Sequence, residues 1–253
     1  MPPKRKRKDG GAVGDSTSVK LPRLKPTKEV YTQRDIGEGT TVTTRHIIDE
    51  HVNVILGMTG SVASIKAGEL ITKLAYDNRE ATVVNSLKVV ATKAAKHFFN
   101  WEGLKEFWFH QAAVDFHSDE EEWRDWKKVG DPVLHIELRR WANILVIAPC
   151  SANTLAKLAN GLCDDLLSCI VRAWDFKDPN KRLIIAPAMN TMMWESPFTQ
   201  KHLETLVELG GGTMDNQKRV QIIGPVEKTL ACGDVGNGAM ASPEDIARLV
   251  RRI

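Results

Sequence analysis

The stretch from Asp131 to Gly161, DPVLHIELRRWANILVIAPCSANTLAKLANG, constrains the fold more than any other part of the chain. A short amphipathic helix, a buried strand, a polar turn and a second helix follow one another without a gap. The strand spans Asn143 to Ala148, an apolar run with no polar alternation. Such a run suits a parallel strand covered by helices on both faces. The turn after it, Pro149-Cys150-Ser151-Ala152-Asn153-Thr154, is small and polar and opens a helix that Gly161 ends. In open parallel sheets, ligands bind outside the carboxyl ends of the strands. This turn is therefore the first candidate site. His135 stands one short helix upstream. Leu134, Leu138 and Trp141 share that helix's inward face. A lone histidine at a helix start is as a rule a capping or core residue, so local reasoning gives His135 no chemical role.

The same unit recurs along the chain. Val52 to Met58 reads as a strand, and Thr59-Gly60-Ser61-Val62-Ala63 as a tight turn into a helix reaching about Tyr76. Free N–H groups and the helix dipole make such a turn an anion site, with the Ser61 hydroxyl adding a donor. The turn is neither GxGxxG nor a P-loop, because Lys66 is misplaced; an ordinary tight turn is the competing reading. A second strand, Leu87 to Ala91, runs into Thr92-Lys93-Ala94 at the head of another helix. Arg182 to Ala186 is a further buried strand, followed by Pro187-Ala188-Met189-Asn190. Two strands thus end in Ala-Pro and a turn carrying an Asn, Asn153 or Asn190, as two walls of one pocket would. Val220 to Ile223 is the last strand. Leu230 to Gly238 carries three glycines in its last six residues and reads as an irregular, mobile lid holding Cys232. Ser242-Pro243 starts a C-terminal helix as N-cap and first residue. This alternation predicts an α/β fold over residues 51–253: a single doubly wound parallel sheet with helices on both faces.

Residues 1–50 are rich in Lys, Arg, Pro, Gly and Ser without hydrophobic period and read as a disordered basic tail. Lys4-Arg5-Lys6-Arg7-Lys8 is either a nuclear-import run or a solvated charged tail. The net charge of +3 is concentrated there, which leaves the remainder near neutral and argues against a nucleic-acid partner. No apolar run approaches the ~20 residues of a membrane span, and no signal peptide is visible. Cys150, Cys163, Cys169 and Cys232 form no CxxC pair and read as reduced thiols, with no metal site. The expected location is cytoplasmic, with nuclear entry if the basic run is used. Residues 100–130 read as less regular, with Asp119 to Glu122 as a solvated acidic face and Trp123 and Trp126 as packing residues.

The motifs HIELRRW (135–141), SANT (151–154), PAMN (187–190) and ACGD (231–234) resemble those of phosphopantothenoylcysteine decarboxylase, in the homo-oligomeric flavin-containing Cys decarboxylase family. The plant halotolerance flavoproteins are nearest in wording. The resemblance covers roughly residues 50–250. It implies a flavodoxin- or Rossmann-like fold, a homotrimer with sites at subunit interfaces, and FMN as cofactor. It further implies conversion of 4′-phosphopantothenoylcysteine to 4′-phosphopantetheine and CO2 in coenzyme A synthesis. By the same resemblance, Gly60, Ser61, Val62, Thr92, Lys93 and Ala94 would hold the FMN phosphate, and Ser151, Ala152, Asn153, Thr154 and Met189 would touch the flavin. His135 would be the active-site acid or base, Asn190 would bind the substrate carboxylate, with Ala231, Gly233 and Asp234 beside it, and Cys232 would be the late proton donor. The chemistry suits those groups: oxidising the thiol-bearing carbon creates an electron sink for CO2 loss, and a thiol can then protonate the carbon.

Where the plant proteins carry Ser, this chain has Ala in its Thr92-Lys93-Ala94-Ala95 turn. Asp165 replaces a usual Asn and adds a charge near the expected trimer face. A second reading has another class: fungal relatives bind and inhibit a protein phosphatase, and the basic tail and acidic segment would suit such a partner. The presence of His135, Asn190 and Cys232 favours the enzyme.

Overall fold

A computed structural model describes residues 28–35, 41–48, 51–76, 83–109, 114–229 and 235–252. The chain divides into two units, Met1–Ile48 and Asp49–Ile253. In the first, β1 (Lys28–Asp35) and β2 (Thr41–Ile48) pair antiparallel as a hairpin, with Thr32 opposite Thr44. Regular structure therefore occurs inside the stretch expected to be disordered. β-branched residues, above all the run Thr41-Val42-Thr43-Thr44 and Ile47-Ile48, favour strand there, and composition alone hid them. Lys4 to Lys8 lie outside the described residues.

The second unit is built on a six-stranded, wholly parallel sheet. Its strands are β3 (His51–Met58), β4 (Val83–Ala91), β5 (Val114–Ser118), β6 (Ile144–Cys150), β7 (Arg182–Pro187) and β8 (Val220–Ile222), in the order β5-β4-β3-β6-β7-β8. The chain winds outward from β3 to one edge, returns to β6 beside β3, and winds to the other edge. The turn of direction falls between β3 and β6. The central stretches of β3, β6 and β7 are apolar at successive positions because successive residues feed two cores. Val54, Leu56, Ile144, Val146 and Ile184 face one core, and Ile55, Leu145, Ile147, Leu183 and Ile185 face the other.

The first core is closed by α1 (Ala67–Tyr76), α2 (Trp101–Phe109) and, from the C-terminus, α8 (Pro243–Arg251). The second is closed by α3 (Leu134–Trp141), α4 (Ala152–Ala159), α5 (Leu166–Arg172) and α7 (Pro197–Leu209). A one-turn α6 (Thr191–Trp194) precedes α7. Among the described residues no helix is long and apolar enough to cross a membrane.

Three expectations are corrected here. Residues 100–130 contain α2 and the edge strand β5; aromatic residues supply their buried positions, with Trp101 edge-on to Phe116 at 5.2 Å. Trp123 and Trp126 do not pack inside but stay exposed. The glycine-rich stretch is regular in its second half: β10 (Val235–Ala239) pairs antiparallel with β9 (Val226–Thr229). Ala231, Cys232, Gly233 and Asp234 lie outside the described residues, as does the expected lid around them.

Candidate functional site

The turns singled out in the sequence stand side by side because β4, β3, β6 and β7 are neighbours in the sheet. At the switch point, one buried hydroxyl ties two of them together. The Thr59 Oγ1 donates to the Pro149 carbonyl at 2.8 Å and accepts the Ser151 N–H at 2.8 Å. Its own carbonyl accepts the Ser64 hydroxyl at 2.8 Å. Thr59 has no exposure. Sequence reasoning missed it because its partners lie about 90 residues away.

On the other side of β3, the Thr92 N–H donates to the Met58 carbonyl at 3.1 Å. Gly60 lies flat against the Thr92-Lys93-Ala94 turn; a Cβ there would stand 2.7 Å from the Ala94 Cβ. Ser61 caps the short 3-10 turn Val62–Lys66 leading into α1, accepting the Ala63 N–H at 3.4 Å. The Thr92 hydroxyl accepts the Ala95 N–H at 3.3 Å, and Lys93 is exposed beside it. Ser151 caps α4 by accepting the Thr154 N–H and bonds the Thr154 hydroxyl, both at 3.2 Å. Ala152 is half-buried and Asn153 exposed at the same helix start.

The β7 turn joins the row through the Ala188 N–H, which donates to the Cys150 carbonyl at 3.0 Å. Met189 is buried. Asn190 is exposed and caps α6, its Oδ1 accepting the Met193 N–H at 2.8 Å. β10 then lies across this turn: the Met189 N–H donates to the Gly238 carbonyl at 3.0 Å. The strand that follows Cys232 is thereby fixed at Asn190. Val62, Ile65, Met192 and Met193 stand exposed next to these turns.

His135 belongs to a second cluster. It opens α3, and its Nδ1 lies 2.8 Å from the Glu122 Oε1. Glu122 is 8% exposed. The expectation of a solvated acidic face from Asp119 to Glu122 therefore fails for all but Glu120. Asp119, half-buried, accepts the Leu166 N–H at 3.0 Å and a backbone bond from Lys93, so it staples the β4 turn to α5. Burial holds its carboxyl above the usual range. Only Glu120 stays in solvent, paired with Lys96 at 2.9 Å. Asp165 caps α5 through the Ser168 N–H and pairs with Lys157 at 3.1 Å, which answers its extra charge. Cys150, fully buried, has its thiol pushed up to about 12 by desolvation and is no nucleophile.

Parallel strands on both sides of a switch point, with hydroxyl-bearing helix starts at the strand ends, define a nucleotide-type binding protein of the doubly wound class. The Flavoprotein family model matches residues 24–253, and the chain belongs to that family. Within it, the chain is 50% identical to the phosphopantothenoylcysteine decarboxylase of Arabidopsis thaliana over 198 residues, 78% of this chain and 83% of the relative. Among solved structures it is similar to a Cys-to-Ser mutant of PPC decarboxylase complexed with pantothenoylaminoethenethiol. That match has a TM-score of 0.67 and 48% identity and covers 80% of this chain and 97% of the other. It is also similar to the FMN binding protein AtHal3, with a TM-score of 0.64 and 48% identity over 79% of this chain and 95% of the other.

Substituting Thr59 tests the lock at the switch point. Thr59→Val keeps the shape but orphans the Pro149 carbonyl and the Ser151 N–H, each costing about 1–3 kcal/mol. Together these are about 2–6 kcal/mol, and the expected result is a Tm lower by roughly 5–20 °C with weakened flavin retention. Thr59→Ser, read by the same melt and the visible spectrum, stays close to the parent.

Proposed function

We propose that this chain is an FMN-dependent phosphopantothenoylcysteine decarboxylase, acting as a homotrimer in coenzyme A synthesis. The observation that carries this reading is the row of four strand-end turns around Thr59, on a chain half identical to a named decarboxylase. The donor set suits FMN. Hydroxyls of Ser61 and Thr92, the Lys93 ammonium and the N–H groups of Gly60 and Val62 would hold a phosphate monoester, the Ser61 N–H being given to the Thr59 carbonyl at 2.8 Å. The close approach of Gly60 to Ala94 leaves the backbone bare at that point. Ser151, Ala152, Asn153, Thr154 and Met189 would border the ring. FMN, when bound, supplies reversible hydride chemistry at the substrate's thiol-bearing carbon.

The chain's own groups do the rest. Asn190 orients the carboxylate without the full positive charge that would stabilise the ground state. Its Oδ1 is held by the Met193 N–H, so the amide nitrogen is left to face the acid. His135 manages the proton during CO2 loss. Ala231, Gly233 and Asp234 accompany the substrate, and Cys232 protonates the carbon late in the cycle. A thiol of ordinary pKa, about 8.5, is largely protonated at neutral pH and can donate. The trimer is supported by the exposed Val62, Ile65, Met192 and Met193 beside the turns. The phosphatase-binding reading is less favoured, because the relatives are named as decarboxylases.

Purified protein is expected to be yellow, to have the mass of three chains, and to convert phosphopantothenoylcysteine to phosphopantetheine and CO2. Colourless, inert protein sinks the reading. Cys232→Ser is expected to release CO2 yet leave the oxidised enethiol as product. Mass spectrometry of the product decides, and normal phosphopantetheine from that variant removes the proton-donor role.

A further inference from the structure

We propose that Glu122 is the positioning residue for His135, fixing its proton on Nδ1 and leaving Nε2 to meet the substrate. The inference rests on the decarboxylase reading for its catalytic consequence, but its structural basis is independent. A carboxylate that is 8% exposed is costly unless partnered. The structure gives Glu122 one strong partner, the His135 Nδ1 at 2.8 Å. An ionised carboxylate only accepts hydrogen bonds, so the nitrogen facing it carries the proton. The free lone pair of a neutral ring, or the second N–H of a charged one, is then at Nε2.

The pair is not a local turn. Glu122 follows β5, His135 opens α3, and Cys169 from α5 completes the cluster, with the three ligating atoms within 4.8 Å of one another. The thiol is pushed up to about 12, by burial first and then by the Glu122 charge. Cys169 is therefore a neutral S–H beside the carboxylate and does not compete for His135 as a second anion. The exposed Trp123 ring stands edge-on to the imidazole at 6.2 Å. Three elements thus converge to hold one imidazole in one orientation. An orienting carboxylate behind a functional histidine typically matters by 10–100-fold or more.

The test uses full-length protein carrying Glu122→Gln or Glu122→Asp. Glutamine fills the same space but offers either an oxygen or an NH2 group, so it no longer specifies the tautomer. The expected result for Glu122→Gln is a kcat lower by roughly 30-fold, with KM within about twofold and the yellow colour retained. Glu122→Asp recovers part of the loss, because the charge remains on a shorter arm. Side-chain 15N spectra of the unsubstituted protein should show His135 protonated at Nδ1, and the Gln variant should lose that signature. An unprotonated Nδ1 in the unsubstituted protein overturns the proposal, even if the variants fail to fold. Unchanged kcat in Glu122→Gln also overturns it, as does flavin loss with kcat and KM worsening together. If the parent protein makes no CO2, the decarboxylase reading fails while the 15N arm still decides the role of Glu122.

Discussion

His135→Asn is expected to abolish CO2 release in a protein that remains folded and yellow. The side chain is mostly buried at the start of α3, where its neighbours are the Glu122 carboxylate, the Cys169 thiol and the edge of Trp123. An asparagine amide can still donate to Glu122, so the buried carboxylate keeps a partner and the helix start is little disturbed. What disappears is a group that can both take and give a proton near neutral pH. General acid–base catalysis is worth about 10²–10⁴-fold, or roughly 3–5 kcal/mol of barrier. A residual rate below about one-hundredth of the parent is therefore expected. CO2 release in single turnover is the measurement, with the visible spectrum and a thermal melt as controls. A variant keeping more than a tenth of the activity would move the proton-handling role elsewhere.

The parts of this site differ in how openly the sequence declares them. The strands around Val54, Leu145 and Ile184 are legible because consecutive apolar residues leave only a doubly covered sheet. The turns after them are legible because Gly60, Ser61, Ser151 and Asn190 are small or polar where an apolar run stops. Thr59 was hidden, since its value lies in the Pro149 carbonyl and Ser151 N–H across the sheet. Glu122 was hidden more deeply. Within Asp-Glu-Glu-Glu it looks like its neighbours, and only the approach of α3 and α5 removes it from water. His135 read as a capping residue for the same reason: the sequence does not announce the partner that orients its ring. β5 and α2 were obscured by aromatic residues, which bury well on either kind of element and impose no clear period.

β10 shows the opposite error, in which a true local rule loses to a tertiary demand. Glycines weaken a strand, so Val235 to Ala239 reads as irregular. Yet the strand needs them, because it lies directly on the turn that carries Asn190. A Cβ at Gly238 would stand 2.2 Å from the Met189 carbonyl oxygen, and one at Gly236 would stand 2.3 Å from the Thr191 hydroxyl. The first obstacle is backbone and cannot rotate away. Gly238→Ala must therefore lift β10 from the turn by about 1 Å, breaking the Met189 N–H bond to the Gly238 carbonyl. The combined cost is about 2–4 kcal/mol, which predicts a Tm lower by roughly 8 °C. The catalytic loss should be larger than the stability loss, because β10 directly continues the segment holding Cys232. Displacing a reacting group by about 1 Å can cost on the order of 100-fold. Since the strand-end turns at Thr59, Ser151 and Ala94 are untouched, flavin content should hold while kcat for phosphopantetheine formation falls by about that factor. Gly238→Ala with parental kcat and Tm would show that the strand can withdraw from Asn190 without consequence, and that Cys232 is delivered to the substrate by something other than β10.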